Sequence, residues 1–239
     1  MQLRCLIWQI RVIEKEFDEA LINGLAQHQT YGQNDIRLTI YSRLRGIQRS
    51  IALSFIFMRD HLAEPEWWRS LSHDMLWSLP MNEIEIDSIV PRVIDDYTSF
   101  QTVAFVQGLC SAVESSFRVF VRAIDPTACN NGNAEFMSIY EWLMRELGLQ
   151  NYLPLLNLLR LIRNTIHNNG VYFHPTGQTD SVEYRNIFYK FQYGNPPPLK
   201  NVWKLLQFWM MPDVFRMMVD VVESNRLTGI ALPIPDPFQ

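Results

Sequence analysis

Apolar residues recur at three- and four-residue intervals through most of the chain, the spacing of helices that bury one face. Leu3, Leu6, Ile7, Ile10, Ile13, Phe17 and Leu21 predict an amphipathic helix over residues 2–25, with Gly24 as its stop. After the polar stretch AQHQTYGQND a second helical pattern runs from about Ile36 to Leu62, and Pro65 stands just beyond it. The segment EPEWWRSLSHDMLWSLP sets three tryptophans between two prolines and predicts a short helix with an aromatic packing face. From Pro91 to about Ala123, the repeat Val103, Val106, Leu109, Val113, Phe117, Phe120 marks a long, largely buried helix.

A compact helix over AEFMSIYEWLMRELG closes at Gly148. The next begins near Asn151, a residue suited to an N-cap, carries Pro154 in its first turn and stops at Gly170. The pattern then changes. VYFHPTGQTDSVEYRNIFYKFQYGNPPP alternates around Val182, Tyr184, Phe188 and Phe191 between turn residues, which predicts a small β-hairpin near 181–193. Helical spacing returns in NVWKLLQFWMMPDVFRMMVDVVESNRL, where Pro212 is expected to kink or split the helix. The tail IALPIPDPFQ is too rich in proline for regular structure. The expected fold is mainly α, an antiparallel helical bundle with a β-hairpin inserted after the 151–170 helix. Residues 1–90 are expected to form an N-terminal helical region packed on a core domain of residues 91–239.

Composition narrows the function classes. With 48% hydrophobic and 19% charged residues the chain can bury a substantial core. A net charge of -4 gives no chain-wide basic footprint, so any nucleic-acid site must be local. Cys5, Cys110 and Cys129 are isolated and odd in number, which suits neither a disulfide framework nor a zinc module and fits a reducing cytoplasm. The apolar run IALSFIFM is far short of the ~20 residues a bilayer span needs. A soluble cytoplasmic protein without membrane contact is expected. His28, His61, His73, His167 and His174 form no pair at ligand spacing, so neither metal nor cofactor is expected.

Chemistry concentrates in RLIRNTIHNNG, residues 160–170. On a wheel of ~100° per residue, Asn157, Arg160, Arg163, Asn164, His167 and Asn168 share one arc of ~140°, and the remainder is leucine and isoleucine. One reading is structural: the arginines pair with carboxylates of a neighbouring helix, and His167 and Asn168 cap the C-terminus. The other is an anion-binding or catalytic face. In VESSFRVFVR, Glu114, Arg118 and Arg122 share a face at four-residue spacing, either as a solvated ion-pair ladder or with Glu114 orienting Arg160, Arg163 or His167. The ribbon YRNIFYKFQY mixes Tyr184, Phe188, Tyr189 and Tyr193 with Arg185 and Lys190, a combination that suits stacking on single-stranded RNA as well as covering the bundle.

RNTIHNNG after an apolar helix, together with VESSFRVF on an earlier long helix, resembles the HEPN superfamily (higher eukaryotes and prokaryotes nucleotide-binding) over roughly residues 95–225. The resemblance implies an antiparallel helical bundle, often dimeric, and either a metal-independent ribonuclease of toxin or antiphage type or a non-catalytic module binding RNA or a protein. The family motif is an arginine, commonly followed by a polar residue, and then a histidine after four to six residues. Arg163-Asn164 supplies the typical start with three residues before His167. Arg160 has the typical spacing but is followed by Leu161, so either arginine can fill the motif place.

As a nuclease site, the face is expected to use the RNA 2′-hydroxyl as nucleophile. His167 would transfer protons, Arg160 and Arg163 would hold the phosphate, and Asn164 and Asn168 would position His167 or the ribose. Arg118, Arg122, Tyr184 and Arg185 would contact RNA outside the reacting centre. The partners implied are RNA, a second copy of the chain, and an antitoxin or other protein. A purely structural helical protein with an internally paired polar face is the third class.

Overall fold

The computed structural model describes residues 3–28, 30–70, 83–129, 134–168, 170–199 and 201–237. The fold is mainly α, with one two-stranded hairpin. Among the described residues no helix is long and apolar enough to cross a membrane.

Helix α1 (Leu3–Gln27) buries Leu6, Ile7, Ile10, Ile13 and Phe17, the stripe its spacing predicts. Gly24 does not end it. A Cβ there would stand 2.7 Å from Leu38 Cδ2 of α2 (Ile36–Phe57), so any larger residue would make that leucine shift. Asp35 caps α2 by accepting from the Arg37 N–H at 2.9 Å. The helix runs on through a π-turn, Met58–Leu62, whose Ala63 N–H reaches back to Met58 O at 2.9 Å, and α3 (Pro65–Ser70) follows. The remainder of the tryptophan-rich segment, 71–82, lies outside the described residues.

Helix α4 (Glu83–Ile124) is longer than its pattern predicts, because Pro91 lies inside it instead of at its start. Proline forfeits one backbone bond there, and Val90 beside it is buried in the core. Helix α5 (Phe136–Leu147) ends as expected: Gly148 takes φ 71°, and the Leu149 N–H returns to Met144 O at 2.8 Å. A 3₁₀ turn, Gln150–Tyr152, leads into α6 (Leu153–His167), which carries Pro154 in its first turn. Tyr152, not Asn151, stands at its cap position, since the 3₁₀ turn takes up Asn151. Asn168 closes α6, its side-chain N–H donating to Asn164 O at 2.9 Å, and Gly170 has φ 83°.

Strands β1 (Asp180–Tyr184) and β2 (Ile187–Phe191) pair antiparallel, with Tyr184 opposite Ile187. Arg185 and Asn186 make the two-residue turn, both at positive φ (53° and 59°), as a type I′ hairpin turn requires. Val182, Tyr184, Tyr189 and Phe191 face the core. A short helix, α7 (Val202–Lys204), passes through a π-turn, Leu205–Met210, into α8 (Met211–Val222). Pro212 stands in the first turn of α8, directly after the π-turn, where Met211 N–H reaches back five residues to Leu206 O, so the helical register changes beside the proline. Helix α9 (Asn225–Thr228) precedes an extended tail that makes an isolated bridge between Pro235 and Asp35.

One continuous apolar core joins α1 and α2 to α4, α6, α8 and the inner face of the hairpin. A buried polar clasp fixes the tail across it. Arg37, fully buried, pairs with Asp35 at 2.7 Å and donates to the carbonyls of Leu227, Ile230 and Leu232. Asp236 receives Thr39 at 2.6 Å and the guanidinium of Arg43.

Candidate functional site

Helix α6 buries Leu155, Leu156, Leu158, Leu159, Leu161 and Ile162, which leaves its polar arc facing outward between α4, the start of α5 and the segment that follows Gly170. These elements enclose an open cleft of about 750 Å³, lined by Glu114 and Arg118 from α4, Arg160, Arg163 and Asn164 from α6, and Tyr172, Phe173, His174 and Asp180 beyond. The dry end of the arc is satisfied by Tyr140, whose hydroxyl donates to Asn157 Oδ1 at 2.6 Å.

The three cleft arginines are held differently. Glu114 divides its carboxylate between two of them: Oε1 takes Arg118 at 2.6 Å and Oε2 takes Arg163 at 3.1 Å. Arg118 also donates to the Ala134 carbonyl at 3.0 Å, which pins the 134–137 wall to α4. Arg160 forms no ion pair among the described residues, and its buried Nε has no hydrogen-bond partner. The guanidinium lies against two phenols, hydrogen-bonding Tyr140 and acting on Tyr172 through its charge. Burial raises the pKa of Tyr140 and Tyr172, and Arg160 opposes the rise in both. Tyr172 donates to the Asp180 carboxylate, a bond that adds to the rise in its pKa. Among the described residues the cleft thus contains one guanidinium without a carboxylate in ion-pair contact, next to a second that shares one.

His167 is exposed at the last turn of α6 and does not line the cleft. Asn164 lines it, while Asn168 serves as the helix cap. Arg122 is exposed one turn beyond Arg118 and stands outside the lining. Tyr184 and Arg185 are committed elsewhere. Tyr184 is buried and donates to Asp213 at 2.7 Å, and Arg185 pairs with the same carboxylate at 2.8 Å, so both dock the hairpin on α8. Spacing on α6 and α4 found Glu114, Arg118, Arg160, Arg163 and Asn164. It missed Tyr172, Phe173, His174 and Asp180, which reach the cleft only because the chain turns back after Gly170.

That return is fixed by backbone bonds: Tyr172 N–H to Asn195 O at 2.8 Å and Gly194 N–H to Tyr172 O at 2.7 Å. His174 Nδ1 accepts from the Thr176 N–H at 3.2 Å, so in the neutral ring the proton sits on Nε2. No group of three His, Cys, Asp or Glu side chains able to share a metal ion occurs among the described residues. The arrangement can bind an anion through guanidinium, amide and imidazole donors. Comparison of the chain with protein-family models, with curated protein sequences and with solved structures finds no match.

Proposed function

We propose that this protein acts on RNA, holding a backbone phosphate on Arg160 and Arg163 and cleaving the strand there without metal, as the HEPN resemblance implies. One observation carries the reading: Arg160 sits in an open cleft without an ion-pair partner, beside an arginine that shares its only carboxylate. A guanidinium left without an anion in a protein of net charge -4 is a site for an anionic ligand. The 2′-hydroxyl of RNA is a nucleophile already held beside its own phosphate, so the protein need supply only charge stabilisation and proton transfer.

His167 is the proton-transfer group in this reading. Its exposed place at the end of α6 suits action on a phosphate held where the polar faces of two copies meet, in a homodimer. A cytoplasmic role in antiphage defence, or as a toxin restrained by an antitoxin, is the setting that fits. A second reading, a non-catalytic RNA-binding module, is favoured by the absence of His167 from the cleft lining.

Incubation of purified wild-type and His167→Ala protein with total RNA in excess EDTA tests the proposal. Wild-type cleavage leaving 2′,3′-cyclic phosphate ends, abolished in the variant, supports the nuclease. Cleavage that persists in the variant removes His167 from the mechanism. Intact RNA that is nevertheless bound by the wild type, and released by Arg160→Ala, supports the binding module.

A further inference from the structure

Beside the cleft arginines stands a pair of rings that the core does not use. Phe173 is 44% exposed and Tyr193 is 48% exposed, whereas their sequence neighbours Tyr172 and Phe191 are buried. The two rings pack edge-to-face, with centroids 5.2 Å apart and planes at 83°. They are adjacent because the bonds joining Tyr172 to Asn195 and Gly194 hold the two backbone segments together immediately beside the pair. The backbone beside both rings is therefore held, and the rings brace each other while solvent-exposed. An edge-on pair leaves ring faces uncovered, and a flat base needs an uncovered face.

Phe173 lines the same cleft as Arg160 and Arg163. Guanidinium groups on one side of a cleft and a fixed aromatic face on another match a nucleotide, with its anionic phosphate and planar base. An inorganic anion or an acidic peptide would use the arginines and leave the rings without purpose.

We infer that Phe173, braced by Tyr193, is a stacking platform for an unpaired base of single-stranded RNA, next to the phosphate held by Arg160 and Arg163. The inference rests on the reading of the cleft as an RNA-phosphate site and adds the strand state it accepts. A base in a duplex is already stacked on both sides, so the platform selects unpaired RNA.

The test measures binding of a fluorescein-labelled, mixed-sequence single-stranded RNA, and separately of inorganic phosphate, to the full chain. Phe173→Ala is expected to weaken the RNA by about 5- to 150-fold, the range of one lost base–aromatic stack. Phosphate binding and thermal stability should not change, and Phe173→Trp should restore RNA affinity. Arg160→Ala should weaken both ligands. If Phe173→Ala binds the RNA like wild type while Arg160→Ala does not, the platform is wrong and the phosphate cleft stands. Equal RNA binding by wild type, Phe173→Ala and Arg160→Ala would put the RNA outside this cleft and overturn the platform, and no binding by the wild type removes the RNA reading and the platform together. Loss of phosphate binding in Phe173→Ala would mean that the ring only supports the cleft wall, and would also overturn the inference.

Discussion

The carboxylate of Glu114 on α4 meets the guanidinium of Arg163 on α6 at 3.1 Å while its other oxygen holds Arg118. One acid therefore ties two helices and one cleft wall together. Its side chain is only 15% exposed, so the charge is poorly screened by water. Glu114→Gln keeps the shape and removes the charge, leaving two guanidiniums close together without compensation. The expected loss is about 1–3 kcal/mol of unfolding free energy, read from urea titrations with unchanged slope. A variant as stable as wild type would show that Glu114 is a bystander of the cleft.

The buried Arg37 has a stricter role. Its five donors meet Asp35 and three tail carbonyls, and no solvent reaches it. Arg37→Ala should cost about 3–5 kcal/mol, since it strands the Asp35 carboxylate in the core. Arg37→Lys should cost nearly as much, because an ammonium cannot reproduce the planar fork. Thermal unfolding of both variants checks this, and a harmless lysine would contradict it.

Cysteine reactivity should divide by position. Burial pushes the Cys110 thiol up to about 12, with nearby Arg163 pulling it down and Glu114 pushing it up. Cys5 is exposed. At pH 8 a thiol-specific disulfide reagent should label Cys5 promptly and Cys110 only in denaturant. The raised thiol pKa stabilises the fold fully below the ordinary cysteine value of ~8.5, and that contribution declines as pH rises toward the folded value. Rapid native labelling at Cys110, located by peptide mapping, would show that the α4–α6 interface opens.

Docking of the hairpin should weaken in acid. Burial alone would raise the Asp213 pKa, but hydrogen bonds from Arg185 and Tyr184, with the charge of Arg216 nearby, lower it overall. A depressed folded value means stability that is present above the ordinary carboxylate value of ~3.9 and lost as pH falls through the folded one. Urea midpoints of wild type and Asp213→Asn, measured from pH 7 down to pH 3, should therefore differ at neutrality and converge on acidification. A gap that stays constant with pH would rule out the charge as its cause.

The helices and the polar face of α6 were legible because helical periodicity is a local property: six polar residues on one arc are visible without knowing any neighbour. Arg118 and Arg122 were not separable in this way. Both lie on the same face of α4, and what draws Arg118 into the cleft is the carbonyl of Ala134, whose position depends on how α5 packs. Tyr184 and Arg185 had the composition of an RNA-stacking ribbon, yet Asp213, almost thirty residues later, claims both. Tyr193 belonged to that ribbon, but its pairing with Phe173 was out of reach, since backbone bonds between segments distant in sequence make them neighbours. Pro91 misled for a physical reason: a proline removes one backbone bond, and a long helix can run on across that loss.

The acceptors of Arg37 lie about 190 residues after it in the chain. During synthesis α2 leaves the ribosome long before residues 227–232 exist, and its interior arginine must wait in water or on a transient partner. A segment made much later is thus the one that allows the second helix to seat. A chain halted before residue 227 would carry nearly every helix of the fold and still lack the acceptors its buried guanidinium requires. Such a product should be recognised as unfinished by proteases, while the completed chain resists them.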